Sequence, residues 1–326
     1  MEEVIRVNNL CKSFRSKTKA PGFGAAVKGL IKPEYTDLRA VDDISFTVER
    51  GDMLAFIGPN GAGKSTTIKL ITGILFPTSG HVSVLGRDPH KSRKTLTYRI
   101  GTVFGQKSQL WFHLPASDSF QLLGSIYDVE KQKLKSRIER LIETFEIGGF
   151  INTPVRKLSL GQRIRCEIAA SLLHEPEILF LDEPSIGLDV VVKQRIRDLI
   201  RESNRELGTT IFLTSHDASD IEKICRRALV INDGKIAWQG TIKEMKYSLL
   251  SRRIVDVKVD NEFSFEMSGV TVLKQKRYSA KLEIDLKAVK LERVINEILQ
   301  RNSIQDIAIS STPMEEVISM IYEGEV

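Results

Sequence analysis

The segment Gly58–Thr66, with the sequence GPNGAGKST, has the composition that a phosphate-binding loop requires. It matches the pattern G-x-x-x-x-G-K-[ST], in which glycines let the backbone curl so that successive N–H groups face a phosphate. Lys64 is expected to reach the β- and γ-phosphates, and the Ser65 hydroxyl to help to hold Mg²⁺. An apolar run, Met53–Ile57, precedes the loop and a helical pattern follows it, so a nucleoside triphosphate site is predicted. Its predicted binding residues are Asn60, Gly61, Gly63, Lys64, Ser65 and Thr66.

Two adjacent carboxylates end another apolar run, EILFLDEP, at Asp182 and Glu183. A buried parallel strand delivers its last side chains to the carboxyl edge of the sheet, which is where a phosphate-binding loop also lies. Asp182 is therefore predicted to belong to the Mg²⁺ shell. Glu183 is predicted to polarise the attacking water as a general base, which is worth about 10²–10⁴ in rate. Hydrolysis of the bound triphosphate is the reaction that these residues favour.

The elements that must position these residues alternate between strands and helices up to about residue 240. Short apolar runs such as RIGTVFG, TTIFLTSH and RRALVINDG are separated by helical patterns such as KLKSRIERLIETFE and KQRIRDLIRESNRE. Apolar strands separated by helices are typical of a mostly parallel, covered α/β sheet. The fold class predicted for residues 1–244 is therefore α/β, with a helical subdomain at about residues 107–172.

Residues 15–39 interrupt the first strand pattern and are predicted to form an inserted loop, with one or two helical turns near residues 25–31. Residues 11–39 contain seven Lys or Arg against two acidic residues, within a chain of net charge +6. A solvated face is one interpretation of this charge. Contact with anionic lipid headgroups or an acidic partner is the other.

The pattern changes after residue 244. Val255, Val257 and Val259 alternate with charged residues, as in a half-buried strand. Residues 291–299 have helical spacing, and Pro313 is predicted to occupy the first position of a last helix. Residues 245–326 are therefore predicted to form a small α+β domain.

The composition is that of a soluble globular protein, since 41% of the 326 residues are hydrophobic and 28% are charged. No run of 18 apolar residues is present, so no membrane span is predicted. The first residues, MEEVIRVNN, lack the apolar stretch of a secretory signal. Three cysteines without disulfide or metal-ligand spacing are expected to be reduced thiols in the cytosol.

Taken together and in this order, the motifs resemble those of the nucleotide-binding subunit of ABC transporters, over roughly residues 4–240. The resemblance implies ATP and Mg²⁺ as cofactors, with GPNGAGKST as Walker A and ILFLDEP as Walker B. It implies that Asp189, in GLD, belongs to the D-loop and that His216, in LTSHD, is the switch histidine. Gln106 resembles the Q-loop glutamine, which contacts Mg²⁺ or water and faces the membrane partner. Phe14 resembles the aromatic residue that stacks on adenine.

The segment LSLGQ resembles the signature sequence of the same family, which is usually Leu-Ser-Gly-Gly-Gln. The resemblance implies that Ser159, Gly161 and Gln162 bind the γ-phosphate of ATP held by a second subunit. The working unit is therefore expected to be a dimer with two composite sites, and a dimer of identical chains is favoured over one of two different chains. Leu160 replaces the first glycine, but it keeps a backbone N–H, so loss of function does not follow. Its side chain is expected to pack against the partner subunit or its own helical subdomain.

The resemblance further implies a motor subunit of an ABC-2 type exporter, which drives a separate transmembrane permease from the cytoplasmic face of the membrane. Two other hypotheses remain open. One is an ABC ATPase that acts on nucleic acid, which a chain with one motif set and no long coiled coil disfavours. The other is an ATP-gated regulatory module that barely hydrolyses ATP, which the presence of Glu183 and His216 disfavours. The transported substrate is not predicted by any motif.

Overall fold

The computed structural model of the chain describes residues 2–17, 35–104, 108–215, 217–247, 252–311 and 313–324. The strands in these ranges are β1 (Glu3–Lys17), β2 (Tyr35–Glu49), β3 (Met53–Ile57), β4 (Ser79–Val84), β5 (Ile100–Phe104), β6 (Ile178–Asp182), β7 (Thr210–Ser215), β8 (Arg227–Asn232), β9 (Lys235–Thr241), β10 (Arg252–Val259), β11 (Val270–Lys276), β12 (Ser279–Asp285) and β13 (Ile304–Ser311). The helices are α1 (Lys64–Ile71), α2 (Arg93–Thr97), α3 (Ala116–Ile126), α4 (Lys131–Thr144), α5 (Leu160–Leu172), α6 (Val190–Leu207), α7 (Ala218–Ile224), α8 (Ile242–Tyr247), α9 (Leu291–Arg301) and α10 (Met314–Glu323). A single 3₁₀ turn spans Val155–Lys157 within the same ranges. None of the described helices combines the length and the hydropathy that a membrane crossing requires.

The central sheet has the strand order β5-β6-β7-β3-β8-β9. Strand β3 pairs in parallel with β7 and β8, and β6 pairs in parallel with β5 and β7. Every residue of β3 and β7 is buried, as expected for apolar strands that are covered on both faces. The prediction of an α/β fold with a mostly parallel sheet is therefore confirmed.

The register of this sheet brings together, at one edge, the strand ends that carry the predicted site residues. Asp182, the last residue of β6, lies opposite Phe104 on one side and Thr214 on the other. Ile57, which ends β3 just before the Gly-rich loop, lies opposite Ser215 at the end of β7. Because parallel strands end together, the loop and the carboxylate pair meet at the same carboxyl edge.

A second, antiparallel sheet has the order β2-β1-β4, and it shows that residues 15–17 and 35–39, at the two ends of the predicted inserted loop, are paired strands. The β1–β2 ladder continues through Phe14↔Leu38 and Arg15↔Asp37 as far as Lys17↔Tyr35. Cross-strand pairs, including one of opposite charge, extend the ladder here. Residues 18–34, including the helical turns predicted near residues 25–31, lie outside the described residues.

Helices α3, α4 and α5 lie within the range that was predicted as a helical subdomain. Helix α4 buries Leu134, Ile138 and Leu141, which are spaced four and three residues apart on one face. Helix α3 contacts both α4 and α5, and Phe120 of α3 is completely buried. This packing fixes α5, whose first residues belong to the predicted signature.

The contacts within the chain divide it into two units, Met1–Gln239 and Gly240–Val326. The boundary lies five residues before the predicted one, because α8 belongs to the second unit, where it contacts α10. The second unit contains an antiparallel sheet of order β11-β12-β10-β13. One apolar cluster on this sheet includes Val255, Leu282 and Val294. Pro313 precedes the last helix instead of occupying its first position, since its ψ of 147° is extended and its carbonyl accepts the first helical N–H groups.

Candidate active site

A cleft of about 500 Å³ lies at the carboxyl edge of the central sheet, beside the start of α1. It brings together all the residues that were predicted from the Gly-rich loop and both carboxylates of the β6 end. Five further lining residues, one of them Pro59 of the loop itself, were not predicted from the sequence, since single lysines and apolar side chains carry no local signal. The lining residues are Pro59, Asn60, Gly61, Gly63, Lys64, Ser65, Thr66, Lys69, Ile74, Phe104, Asp182, Glu183 and Ile186.

Two glycines give the loop its shape. Gly61 and Gly63 have φ values of 89° and 106°, in the left-handed region that favours glycine. At Gly63 a Cβ atom would lie 2.3 Å from the carbonyl oxygen of Ala40 in β2, so the loop backbone approaches that strand closely. Gly63 is also the N-cap of α1 and contributes no side-chain capping bond. The N-terminal N–H groups of α1 therefore remain suited to an anion.

Lys64 is buried, and its ammonium group is held at the base of the cleft. Its Nζ atom donates to the carbonyl oxygens of Gly58 at 2.7 Å and Pro59 at 3.2 Å. The same atom lies 3.5 Å from Oε1 of Glu183. A cation fixed between the loop and a carboxylate is well placed to bind the terminal phosphates of a nucleotide.

Asp182 is oriented by two hydroxyl groups. Ser65 Oγ donates to its Oδ2 at 3.0 Å, and Thr214 Oγ1 donates to its Oδ1 at 2.6 Å. Ser65 and Asp182, both predicted from the sequence, are thus in direct contact. Thr214 was not predicted, because its position opposite Asp182 depends on the register of β6 and β7.

Glu183 has a backbone conformation that is unusual for a residue with a side chain. Its φ is 53°, in the left-handed region, which costs roughly 1–2 kcal/mol for a non-glycine residue. The conformation is held by the Glu183 N–H, which donates to both the carbonyl oxygen and the hydroxyl of Thr214 at 3.1 Å. Backbone strain of this kind is often found at functional sites. The turn directs the carboxylate toward the cleft, where it can accept a proton from water.

The predicted signature residues form a second cluster, and none of them lines the cleft. Ser159 is the N-cap of α5, and Gln162 closes a capping box with it through bonds of 3.2 and 2.9 Å. Gly161 is buried, and a Cβ atom there would lie 2.6 Å from Cγ1 of Val192 in α6. Asp189 caps α6 by accepting from the N–H of Val192 at 2.9 Å. Ser159, Gly161, Gln162 and Asp189 thus lie close together at the starts of two packed helices.

Within the chain, the side chain of Leu160 contacts Gly187, and its predicted contact with a partner subunit stays a prediction. Its Cδ2 atom lies 3.2 Å from the position that a Cβ atom of Gly187 would occupy. Gly187 belongs to the segment just before Asp189, in the same chain. About one third of the Leu160 surface remains exposed. Leu160 therefore covers the turn that leads into α6 and keeps an apolar face toward solvent.

Comparison with known proteins decides the family. A family model described as ABC transporter matches residues 41–186, a span that includes every residue that lines the cleft and also Ser159, Gly161 and Gln162. The ABC transporter ATP-binding protein NatA of Bacillus subtilis (strain 168) is 32% identical over 208 residues, which cover 64% of this chain and 84% of that protein. The chain belongs to the ABC transporter ATP-binding proteins. It is an ABC ATPase, so the predicted resemblance and the predicted ATP hydrolysis are confirmed.

Two other similarities extend this result. The linearmycin resistance ATP-binding protein LnrL of Bacillus subtilis (strain 168) is 29% identical over 295 residues, or 88% of this ABC ATPase and 93% of LnrL. This span is longer than the first unit, so the similarity reaches into the second. The ATP-binding cassette MJ0796, solved as a dimer in a post-hydrolysis state with ADP and Pi, shares the fold with a TM-score of 0.61 at 23% identity. It covers 73% of this chain, and 98% of that chain is matched.

Three further residues of the ABC ATPase were predicted to belong to the site. Gln106 and His216 lie outside the described residues, so their predicted roles stay predictions. Phe14 lies in β1 and is partly exposed, and the Nζ atom of Lys12 lies 5.2 Å from the centre of its ring. It is not among the described residues that line the cleft.

Proposed function

We propose that this ABC ATPase works as a dimer in which two copies enclose two ATP molecules. The observation that carries the proposal is the separation of two clusters within one chain. Lys64 and Glu183 line the cleft, whereas Ser159 and Gly161 lie at the start of α5 and do not line it. A helix N-terminus with an exposed serine suits a phosphate, so a second copy can supply it to the ATP bound in the cleft. A symmetric dimer of identical chains then forms two such sites.

Within each site, the cleft residues have separate roles. The start of α1 and the ammonium of Lys64 bind the β- and γ-phosphates. Glu183 accepts a proton from the attacking water, in an orientation set by its bond to Thr214. Because Lys64 lies 3.5 Å from Glu183, the base and the phosphate-binding cation face the same point in the cleft.

The cleft also has a donor set that fits magnesium. Ser65 Oγ and Asp182 Oδ2 are 3.0 Å apart at its wall. One hydroxyl and one carboxylate suit Mg²⁺ as protein ligands when phosphate and water oxygens complete its coordination. When bound, Mg²⁺ would neutralise the charge that develops on the phosphates. Thr214 Oγ1 donates to Oδ1 of Asp182 and so keeps the orientation of the carboxylate, including Oδ2, fixed.

The partner that the dimer drives is a separate permease, and the direction of transport is export. The name of LnrL states linearmycin resistance, and removal of a toxic compound from a cell is a form of export. The similarity to LnrL along most of its length therefore supports an ABC-2 type exporter. The ATPase then works at the cytoplasmic face of the membrane. Contact of the basic segment 15–39 with anionic headgroups is part of this proposal.

The permease is proposed to contact an apolar turn between β5 and α3. Trp111 and Phe112 are 40% and 50% exposed, although the turn that carries them is fixed by backbone bonds. The carbonyl oxygen of Phe112 accepts from Arg156 N, and that of Leu114 accepts from Val155 N, both at 3.0 Å. Exposed aromatic side chains on a rigid backbone are typical of a protein interface. The turn follows the predicted Q-loop, which faces the membrane partner in this family.

Mixing two inactive variants tests the composite site. Lys64→Ala removes the phosphate-binding cation, and Ser159→Arg fills the space that the partner's γ-phosphate must enter. In a mixed dimer, the cleft of the Ser159→Arg chain meets the intact signature of the Lys64→Ala chain. The mixture should regain ATPase activity up to about a quarter of the wild-type rate, because half of the dimers are mixed and each has one intact site. A mixture as inactive as its components would contradict the shared site.

A further inference from the structure

Asp220 of α7 and Arg197 of α6 form an ion pair that is almost completely buried. Asp220 is 1% exposed and Arg197 is 3% exposed. The Nε and Nη2 atoms of Arg197 each lie 2.6 Å from Oδ1 of Asp220. Burial of two charges carries a desolvation penalty that their attraction often fails to offset. Stability of the fold is therefore a weak reason for this pair, and a role in positioning is a stronger one.

The other oxygen of the Asp220 carboxylate accepts two serine hydroxyls. Ser185 Oγ and Ser215 Oγ both donate to Oδ2, the second at 3.2 Å, and both serines are buried. With the two bonds from Arg197, one carboxylate joins the turn after β6, the end of β7 and helix α6. In a low-dielectric interior such a network is strong when all its members are satisfied. Asp220 is therefore a junction between three segments of the site.

The two serines lie on either side of the strained Glu183 backbone. Ser185 follows Glu183 by two residues, and Ser215 follows Thr214, which holds the N–H of Glu183. A residue with a φ of 53° persists only where its surroundings over-determine its conformation. Asp220 supplies such contacts on both flanks and so fixes the direction in which the Glu183 carboxylate projects.

A second ion pair ties α6 to the same region. Lys193 Nζ lies 2.7 Å from Oδ2 of Asp217, and the N–H of Asp217 donates to Ser215 Oγ at 3.0 Å. Burial alone would raise the pKa of Asp217. The hydrogen bond and charge of Lys193, with the N–H of Ser219 and the charge of Arg197, bring that pKa below its ordinary value. Two ion pairs, Lys193 with Asp217 and Arg197 with Asp220, thus join helix α6 to the region that follows the end of β7. Asp189 caps the same helix.

We propose that Asp220 is a positioning residue for ATP hydrolysis, which sets the geometry of Glu183 through Ser185 and Ser215 and links it to α6 through Arg197. The inference rests on the proposed role of Glu183 as the base. A movement of α6, whose first turn packs on the signature residue Gly161, is then transmitted through Arg197 to the turn that carries Glu183. The link therefore connects the cleft residues around Glu183 with the cluster around Ser159 and Gly161, which must act together in a composite site.

Ser185→Ala tests the link because it removes one donor and leaves the ion pair intact. The matched control is Ser203→Ala, which deletes a buried hydroxyl that bonds only to the Leu199 carbonyl of its own helix at 2.9 Å among the contacts that the structure describes. At saturating ATP, kcat of Ser185→Ala should fall about tenfold while the Kd for ATP stays within about twofold. Ser203→Ala should keep kcat within about twofold of the wild type. If Ser185 had only a structural role, both variants would lose thermal stability. The kcat of Ser185→Ala would then not fall while its Kd for ATP stays unchanged.

The same experiment includes Glu183→Gln, so that two failures are told apart. If Glu183→Gln is inactive and Ser185→Ala has the kcat of the Ser203→Ala control, the positioning role of Asp220 is overturned while the base stands. If Glu183→Gln hydrolyses ATP at nearly the wild-type rate, the proposed base is wrong and the positioning role falls with it. Asp220→Asn supplies a second check: combined with Ser185→Ala, its effects on kcat should be far from additive. Additive effects in the folded double variant would contradict the link.

Discussion

Gly161 of α5 packs against Val192 of α6 so closely that a Cβ atom at position 161 would lie 2.6 Å from Cγ1 of Val192. Real Cβ contacts are essentially never this short, so a side chain at position 161 would force Val192 or one of the two helices to shift. The backbone N–H of Val192 is at the same time the group that Asp189 caps. Gly161, the glycine of the predicted signature, is therefore a point of contact between α5 and α6, the helix that follows the predicted D-loop, in addition to any contact that its N–H makes with phosphate.

Gly161→Ala is expected to destabilise the protein, because the added methyl group overpacks this joint. Overpacking of a well-packed contact costs typically about 1–3 kcal/mol. Val192→Ala on the same chain removes the atom that would clash, so the double variant should be more stable than the sum of the two single effects. Denaturant unfolding of the three variants measures this. Wild-type stability of Gly161→Ala would contradict overpacking at this contact.

Leu160→Gly should change the ATPase rate only a few-fold. The exposed face of Leu160 and its contact with Gly187 lie outside the cleft, and a glycine at position 160 keeps the backbone N–H. Ser159→Arg, by contrast, should nearly abolish turnover, because its side chain would block the helix N-terminus. Both rates are measured at saturating ATP. A rise of several orders of magnitude in Leu160→Gly would mean that the natural signature is defective and that a different ATPase subunit completes the site.

Replacement of Trp111 and Phe112 by serine should uncouple the ATPase from its permease. Both side chains are exposed, so the isolated subunit should keep its fold and its ATP affinity. The control is Phe76→Ser, which changes an aromatic side chain that is 68% exposed and stacks on His90. Copurification of the permease and its stimulation of ATPase activity should be lost only in the first variant. Equal copurification of both variants would place the permease contact elsewhere.

The parts of the site that the sequence predicted are those in which one short segment carries the chemistry. Lys64, Ser65 and the pair Asp182 and Glu183 lie in local patterns, and the apolar strands before them predict which edge of the sheet they share. Thr214 and Asp220 could not be predicted in this way. Thr214 lies 32 residues along the chain from Asp182, and Asp220 lies 35 residues from Ser185. Threonine and aspartate are also common at strand ends and in first helical turns.

Two differences between the predicted and the observed fold have physical causes of the same kind. The ladder between Lys17 and Tyr35 was missed because the Gly- and Pro-containing stretch between the strands suggested that the whole of residues 15–39 was a loop. Cross-strand pairing, which extends the ladder, depends on two segments together. The predicted boundary after residue 244 falls within α8, because a short helix has no pattern that assigns it to one core, whereas its contact with α10 places it with the second unit.

The central claim is that two copies of the chain close around ATP and that Glu183 is the base that releases them. The most direct measurement is the molar mass of Glu183→Gln in solution, by light scattering, with and without ATP and Mg²⁺. The neutral amide keeps the shape of the side chain but cannot accept a proton, so the variant should bind ATP, stop turnover and double in mass when ATP is added. Adding Ser159→Arg to the same chain should prevent the doubling. A monomer that binds ATP without association, or a Glu183→Gln variant with nearly wild-type turnover, would contradict the account.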